Sequence, residues 1–319
     1  MQINPKYEDF VLTTRSSVNT LTNASNNNFN TNTFTTKFGK SSPKVYVFDI
    51  EDESGLTIDA NFRIIKDLEG FSQLNFNNCL YICGSDMNNS TAGAHLLKFD
   101  PNLDGNKTTL LINSTYNHYY PTLIGYKGDL IIAIAGFKTK STEIYNTRIN
   151  RWRNLPELPE ERYRCTVLND ESLDFIYIFG GLNTETGKNC SSILRLNMKT
   201  NLVWETLIVK HNSNLLMRNS SAIVKFERTN VVYLLGGRDN EENATDEILE
   251  YDFQTKIVSV SMRKLDIPAC FFQTTGSDLN KADFFLFDDK CNIHKLSRND
   301  FKINFFEMKT VFDDRMEDL

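Results

Sequence analysis

The sequence predicts an all-β fold built from six units of four short antiparallel strands, and three features of the sequence lead to this prediction. An apolar run of β-forming residues that ends in a glycine pair recurs about every 50 residues. A second β-rich run follows each pair and ends in an aromatic residue or Leu, followed by Asp, Asn or Ser. A large apolar residue then returns about seven or eight residues later, as expected of a hairpin.

The glycine-pair run is clearest at residues 175–181 and 231–237. Weaker or degenerate copies end at Ala135-Gly136, Gly84-Ser85, Gly39-Lys40 and Asp288-Asp289. Short apolar runs bounded by turn residues are typical of strands, and a regular period is typical of repeat folds. Glycine also tolerates positive φ and close approach of another backbone, which we expect near the inner end of each unit.

The second run predicts the turn between the third and fourth strands of each unit. In Tyr145-Asn146 and Tyr251-Asp252 an Asn or Asp precedes polar residues, which is common turn chemistry. The other copies are Phe48-Asp49, Phe99-Asp100, Leu196-Asn197 and Leu296-Ser297. The apolar residues that return after the turn are Trp152, Trp204, Val258 and Ile303. We therefore expect a hairpin at this point of each unit.

The glycine pair, the Tyr-Asp step and the following Trp together resemble the kelch repeat, and residues 155–163 are similar to the Pro-rich, Arg-containing lead into a kelch unit. The resemblance implies a six-bladed β-propeller, in which each four-stranded sheet buries its faces against its neighbours. The implied blades lie approximately at residues 31–68, 69–114, 115–158, 159–212, 213–264 and 265–319, after an Asn-rich, low-complexity N-terminal arm at residues 1–30.

A closed ring also needs an innermost strand for the first blade. Residues 10–13, Phe-Val-Leu-Thr, and residues 310–313, Thr-Val-Phe-Asp, could each supply this strand. The resemblance favours the C-terminal segment, which we therefore expect to close the ring.

The composition disfavours several classes of partner. The net charge of −6 argues against nucleic acid or an anionic membrane as the main partner. No apolar run approaches the ~18 residues of a membrane span, and the N-terminal residues lack the pattern of a secretory signal. The Asn excess carries no functional signal within the repeats. We expect a cytoplasmic protein with reduced thiols, monomeric as a propeller within a larger complex, for which a cytoskeletal or ciliary assembly is considered.

The sequence contains no constellation typical of catalysis or of metal binding. The four His residues lie at different places in different units. Cys79 and Cys83 share one face of a predicted strand but would stand ~13 Å apart, too far to share a metal ion. Acidic runs such as residues 49–53 lack the spacing of a calcium-binding loop. We therefore expect no catalytic, cofactor-binding or metal-binding residues and no cofactor.

The loops that connect the blades contain the residues best suited to bind a protein partner. In a propeller, the loops that lead into the innermost strands gather at one mouth of the central channel. Aromatic residues and Arg dominate the energetics of interfaces. The candidates are Tyr119, Tyr120, Arg162, Tyr163, Arg164, Arg218, Phe271 and Phe272. The alternative is that an Arg and a Tyr at the start of each unit belong to the structure of the repeat.

Two longer polar loops follow the clearest glycine pairs, at residues 182–191 and 238–246. We expect these loops on another side of the disc, where they form a second candidate surface.

The favoured function is a non-enzymatic scaffold for protein–protein interaction, or a subunit of a larger assembly. One alternative is a small-molecule enzyme of the sugar epimerase or oxidase type, which would use His118, Tyr120, Arg162 and Arg164 at the channel mouth. Another is the substrate-recognition subunit of a ubiquitin ligase, which is disfavoured because the sequence shows no helical BTB-type domain before the repeats.

Overall fold

The computed structural model describes the backbone of residues 11–13, 32–37, 44–49, 54–59, 69–85, 93–103, 107–200, 202–226, 229–271, 283–287, 293–297 and 303–306. Side chains are described at residues 70–85, 93–103, 107–200, 202–226, 229–271, 286 and 294. Within these ranges every regular element is a β-strand except one 3-10 turn, Ser213–Leu216. The prediction of an all-β fold is confirmed.

Consecutive strands form antiparallel sheets in which each strand pairs with the next along the chain. The first sheet contains β1 (Val11–Thr13), β2 (Asn32–Lys37), β3 (Lys44–Asp49) and β4 (Ser54–Asp59). The second contains β5 (Glu69–Phe76), β6 (Cys79–Ser85), β7 (His95–Phe99) and β8 (Thr108–Leu110). The third contains β9 (Thr122–Tyr126), β10 (Leu130–Gly136), β11 (Thr139–Asn146) and β12 (Arg151–Leu155).

The remaining strands continue the same order. The fourth sheet contains β13 (Thr166–Asp170), β14 (Phe175–Phe179), β15 (Ile193–Asn197) and β16 (Trp204–Leu207). The fifth contains β17 (Ala222–Lys225), β18 (Val231–Leu235), β19 (Thr245–Asp252) and β20 (Ile257–Ala269). The last described sheet contains β21 (Asp283–Phe287), β22 (Ile293–Ser297) and β23 (Ile303–Phe306).

The sheets are arranged as the blades of a propeller. The first strands of successive sheets contact one another, β5 with β9, β9 with β13 and β13 with β17, so these strands are innermost. The other strands of each sheet follow outwards in chain order. The structure is therefore an all-β propeller with four-stranded antiparallel blades. Four consecutive blades, from β5–β8 to β17–β20, are shown with their side chains, and not the six of the prediction.

The second strand of the third blade, β10, packs against both neighbouring blades. Ile131 and Ala133 belong to the apolar core between the second and third blades, whereas Ile132 and Ile134 belong to the core between the third and fourth. Successive side chains of a strand point to opposite faces, so a strand with neighbours on both sides has a continuous apolar sequence. This packing explains why a single unit could not bury its apolar surface alone.

The predicted hairpins are confirmed in register by three blades. Tyr145 pairs with Trp152, Leu196 with Trp204, and Tyr251 with Val258. The turn itself is built by the Asn of the repeat, since Asn146 Oδ1 accepts hydrogen bonds from the N–H groups of Arg148 and Ile149 at 3.0 and 3.2 Å. The same role is played by Asn197 and Asp252.

The glycine pair of the fourth blade has the role that the sequence predicts. Gly180 and Gly181 have φ of +56° and +90°. A Cβ atom on Gly180 would lie 2.1 Å from the carbonyl oxygen of Arg218 in the next blade. The N–H group of Gly181 donates a hydrogen bond of 2.9 Å to the same oxygen. The pair therefore allows the backbones of two blades to meet.

The first sheet takes its innermost strand from the N-terminal segment. β1 pairs with β2 and contacts both β5 and β21. The expectation that the C-terminal segment supplies this strand was therefore wrong, and residues 310–313 lie outside the described residues. With β1 in place the first sheet follows chain order like the other blades. The proposed domain boundaries stay predictions.

Candidate partner-binding site

The direction of the strands decides which loops share a face of the propeller. In an antiparallel four-stranded blade, the loop into the first strand and the loop between the second and third strands lie at the same end. We call this end of the blades the mouth face. Isolated bridges between Tyr163 and Leu182 and between Asn219 and Arg238 join the two kinds of loop there. The expectation that residues 182–191 and 238–246 lie on another side was therefore wrong.

Five residues from the third and fourth blades form a compact group at the mouth face. We call Tyr119, Tyr120, Phe137, Tyr163 and Arg164 the tyrosine–arginine cluster. The guanidinium carbon of Arg164 lies 5.0 Å from the ring centre of Tyr120 and 5.7 Å from that of Tyr163. Phe137 meets Tyr163 edge-on at 5.5 Å, and Tyr119 meets Tyr120 at 4.8 Å. Such cation–π and edge-to-face contacts hold the guanidinium in one place.

The guanidinium of Arg164 is well packed but poorly satisfied in hydrogen bonds. Its side chain is 15% exposed, and its Nε atom is buried without a hydrogen-bond partner. The nearest described carboxylate is that of Glu242, whose Oε2 lies 3.7 Å from Nη1 of Arg164. Burial raises the pKa of the neighbouring Tyr163 hydroxyl, although Arg164 opposes this effect. The cluster thus presents a neutral phenol and a cation with free donors to the mouth face.

The two central residues of the cluster have backbone conformations that side chains rarely adopt. Tyr120 and Arg164 have φ of +53° and +52°. Each of the two residues lies two positions before the first paired residue of its innermost strand. Ser220 has this position in the fifth blade, with φ of +54°, and Gly70 lies two positions before the paired Ser72 in the second blade, with φ of +51°. The backbone is fixed there by contacts between blades, such as the 3.0 Å hydrogen bond from Ser220 N–H to the Arg164 carbonyl.

Arg162 has a different place from Arg164. Its side chain is fully buried, and it donates hydrogen bonds to the Gly180 carbonyl at 3.1 Å and to Ser192 Oγ at 2.8 Å, besides pairing with Glu160. Arg218 has the equivalent role in the next blade, where it pairs with Glu247. These two Arg residues hold the end of the glycine-pair strand. Their contacts agree with the alternative in which these Arg residues belong to the repeat, while their assignment as binding residues stays a prediction.

The remaining candidates divide between the core and the site. Tyr119 is 7% exposed and lies at the base of the cluster, and Phe271 is 1% exposed in the core beside the fifth blade. Arg162, Tyr119 and Phe271 are therefore buried, and their assignment as binding residues stays a prediction. Tyr120, Tyr163 and Arg164 are partly exposed and lie together. Phe272 lies outside the described residues.

His118 occupies in the third blade the position that Arg162 has in the fourth. Its Nδ1 lies 2.7 Å from the Ala135 carbonyl and its Nε2 lies 3.1 Å from Glu143 Oε2, and both side chains are fully buried. Both ring nitrogens of His118 therefore lie within hydrogen-bonding distance of an oxygen atom. His118 and Arg162, two of the residues that the enzyme alternative needs at the channel mouth, therefore offer no exposed surface to a substrate.

Glu143 is held as an anion by its neighbours. Burial alone would raise its pKa, but hydrogen bonds from His118 and from the N–H groups of Tyr116 and Thr115 outweigh this effect, and the pKa lies below its ordinary value. The two N–H groups donate at 3.0 Å each. The pair fastens the loop that leads into β9, and thereby the start of the tyrosine–arginine cluster.

Sequence reasoning missed Phe137 and Glu242. Phe137 directly follows the Ala135-Gly136 pair, and Glu242 lies in the loop after Gly236-Gly237. The alternating direction of the strands was the available signal, because it places every loop after a glycine pair at the same end as the loops between blades.

The described part of the chain contains neither a candidate metal site nor a helix that could cross a membrane. No group of three or more His, Cys, Asp and Glu side chains in the described residues could hold a metal ion. Among the same residues, no helix has the length and apolar character that crossing a bilayer requires.

The fold and the site define a β-propeller with an aromatic and cationic cluster at one face. Comparison of the sequence with models of known protein families finds no match. Comparison with curated proteins finds no match either.

Proposed function

We propose that this protein is a kelch-type propeller of six blades that works as a non-enzymatic scaffold, binding a protein partner at the mouth face through the tyrosine–arginine cluster. The observation that carries the proposal is Arg164, a cation that is packed against two Tyr rings and whose Nε atom is buried without a hydrogen-bond partner in the described structure. A rigid aromatic group around an Arg is the usual make-up of an interface hot spot.

The number of blades and the kelch assignment draw support from the two ends of the chain. β1 contacts β21 as well as β5, as two adjoining blades would if the ring closes between them. The register of the last hairpin, in which Leu296 pairs with Ile303, follows the pattern of the other blades. The glycine pairs of the fourth and fifth blades and the Tyr145–Trp152 hairpin of the third blade each keep part of the kelch pattern.

The cluster is suited to binding because its residues are held in place before a partner arrives. The aromatic rings and the guanidinium of the cluster pack on one another, so little side-chain entropy is lost when a partner binds. The net charge of −6 favours a protein partner over nucleic acid or an anionic membrane. A cytoplasmic assembly, cytoskeletal or ciliary, is the setting in which we place this scaffold.

Affinity capture from native lysate tests the proposal with the tagged full chain and two variants. Arg164→Ala removes the central cation, and a hot-spot residue of this kind is worth ≥2 kcal/mol, or about a 30-fold weaker Kd. Arg148→Ala is the matched control, because Arg148 is 77% exposed and lies in the β11–β12 turn at the opposite end of the blade.

We expect a partner that the native chain and Arg148→Ala both capture and that Arg164→Ala loses. Unchanged capture by Arg164→Ala, with an unchanged urea midpoint, would overturn the proposed function. A metabolite turned over by the purified chain would instead favour the enzyme alternative.

A further inference from the structure

The loop after the glycine pair of the fifth blade brings a carboxylate of the chain itself to the cluster. Glu242 Oε2 lies 3.7 Å from Arg164 Nη1, which is within the range of an ion pair but longer than a hydrogen bond. Arg–carboxylate pairs are strongest when two parallel N–H···O bonds form. Glu242 therefore neutralises Arg164 without using the donors of its guanidinium.

The loop that carries Glu242 is rigidly built. Asp239 Oδ1 accepts hydrogen bonds from the N–H groups of Glu241 and Asn243 at 2.8 and 2.9 Å. Arg238 donates to the Glu242 carbonyl at 2.9 Å. Burial alone would raise the pKa of Asp239, but the two N–H groups outweigh it and lower the pKa, so the carboxylate stays ionised. The backbone at Glu242 is thus held in place by the fold.

Glu242 also shares an unusual backbone conformation with its neighbours. Its φ is +63°, and Tyr120, Lys138 and Arg164 around the same spot have φ of +53°, +60° and +52°. Lys138 belongs to this neighbourhood because its Nζ lies 5.3 Å from the ring centre of Phe137. Non-glycine residues in the αL region cost free energy and gather at binding sites. Four such residues therefore lie together at the mouth face.

We propose that Glu242 is an internal competitor at this site, and that a carboxylate of an acidic peptide segment in the partner displaces it from Arg164. This inference rests on the proposed function of the mouth face. The incoming carboxylate gains two hydrogen bonds that Glu242 does not make, while Glu242, whose side chain is 50% exposed, returns to water at little cost. Glu242 then sets the affinity of the site and rejects groups that bind Arg164 less well than it does.

The test measures binding of a fluorescein-labelled, end-capped hexaglutamate peptide to the purified full chain by fluorescence anisotropy at low ionic strength. Glu242→Gln removes the competitor and should tighten binding by roughly two- to fivefold, the range of a partly exposed ion pair. Glu241→Gln is the matched control, because it changes the same charge one residue away on an exposed side chain without contact to Arg164. Hexaglutamine is the control probe.

We expect Glu241→Gln to bind as the native chain does, and Arg164→Ala to bind weakly whether residue 242 is Glu or Gln. The inference falls if Glu242→Gln gives no gain, if Glu241→Gln gives the same gain, if the gain survives in the Arg164→Ala background, or if no variant binds the peptide. The proposed function would survive any of these outcomes as long as Arg164→Ala still loses its partner in the capture experiment. If that variant keeps its partner, the proposed function itself falls.

Discussion

Replacing Gly180 by Ala tests the contact on which the packing of adjacent blades depends. Gly180 has φ of +56°, a conformation that costs about 1–2 kcal/mol for a residue with a Cβ atom. The new Cβ would also lie 2.1 Å from the Arg218 carbonyl oxygen, so the two backbones would have to separate by about 1 Å to reach an ordinary contact. Overpacking of this kind costs about 1–3 kcal/mol. We expect Gly180→Ala to lower the free energy of unfolding by about 2–5 kcal/mol.

Gly128→Ala separates the two contributions. Gly128 has φ of +65°, but a Cβ atom there would meet no atom within 4 Å. Gly128→Ala should therefore lower the free energy of unfolding only by the backbone cost of about 1–2 kcal/mol. Urea unfolding with linear extrapolation measures both variants, and the slope m should stay unchanged. Equal losses for the two variants would refute the idea that Gly180 is required by the approach of the next blade.

Two further predictions concern the buried charges. Because the pKa of Glu143 is lower in the folded chain than its ordinary value of 4.5, its contribution to stability is present above that pH and is lost as the pH falls below it. In Glu143→Gln the free energy of unfolding, measured with urea, should lack this part of its pH dependence. A pH profile equal to that of the native chain would contradict the stabilising role of the Glu143 carboxylate. Arg162→Met should lower the free energy of unfolding by about 2–4 kcal/mol, because it leaves buried acceptors without their hydrogen-bond donor. The control Arg195→Met breaks a surface pair and should cost under about 1 kcal/mol, so similar losses would contradict the structural role of Arg162.

The repeat and its hairpins could be predicted because their signals are local. Tyr145, Asn146 and Trp152 lie in one hairpin, and the side chain of Asn146 accepts hydrogen bonds from the N–H groups of its turn. The apolar sequence of β10 likewise follows from burial on both faces of a strand. Local chemistry of this kind is nearly independent of how the blades are assembled.

The exposure of the two Arg residues in the loop before β13 could not be predicted. Arg162 and Arg164 are two residues apart and chemically identical in the sequence. Arg162 is buried because its guanidinium reaches Gly180 and Ser192 of its own blade. Arg164 is left near the surface because the αL backbone turns it towards Tyr120 of the preceding blade. Both outcomes depend on contacts that are distant in sequence.

The structural roles of the asparagines could not be predicted from the sequence either. Their abundance in the sequence predicts no role within the repeats, yet Asn219 is fully buried and donates a 3.0 Å hydrogen bond to Asn189 in the loop of the preceding blade. Asn189 in turn donates to the Arg238 carbonyl at 3.2 Å. These side chains join the mouth-face loops of two blades, and nothing in the sequence distinguishes them from the exposed asparagines.

The sequence by itself determined the strands, their turns and the places where glycine must stand, because each depends on residues that are close together in the chain. Only the tertiary structure decided which loops share the mouth face, which Arg is buried and that Glu242 meets Arg164. These features depend on blades that are separate in sequence and are brought together by packing around a common axis. The candidate site is a product of that packing, since its residues come from three different blades.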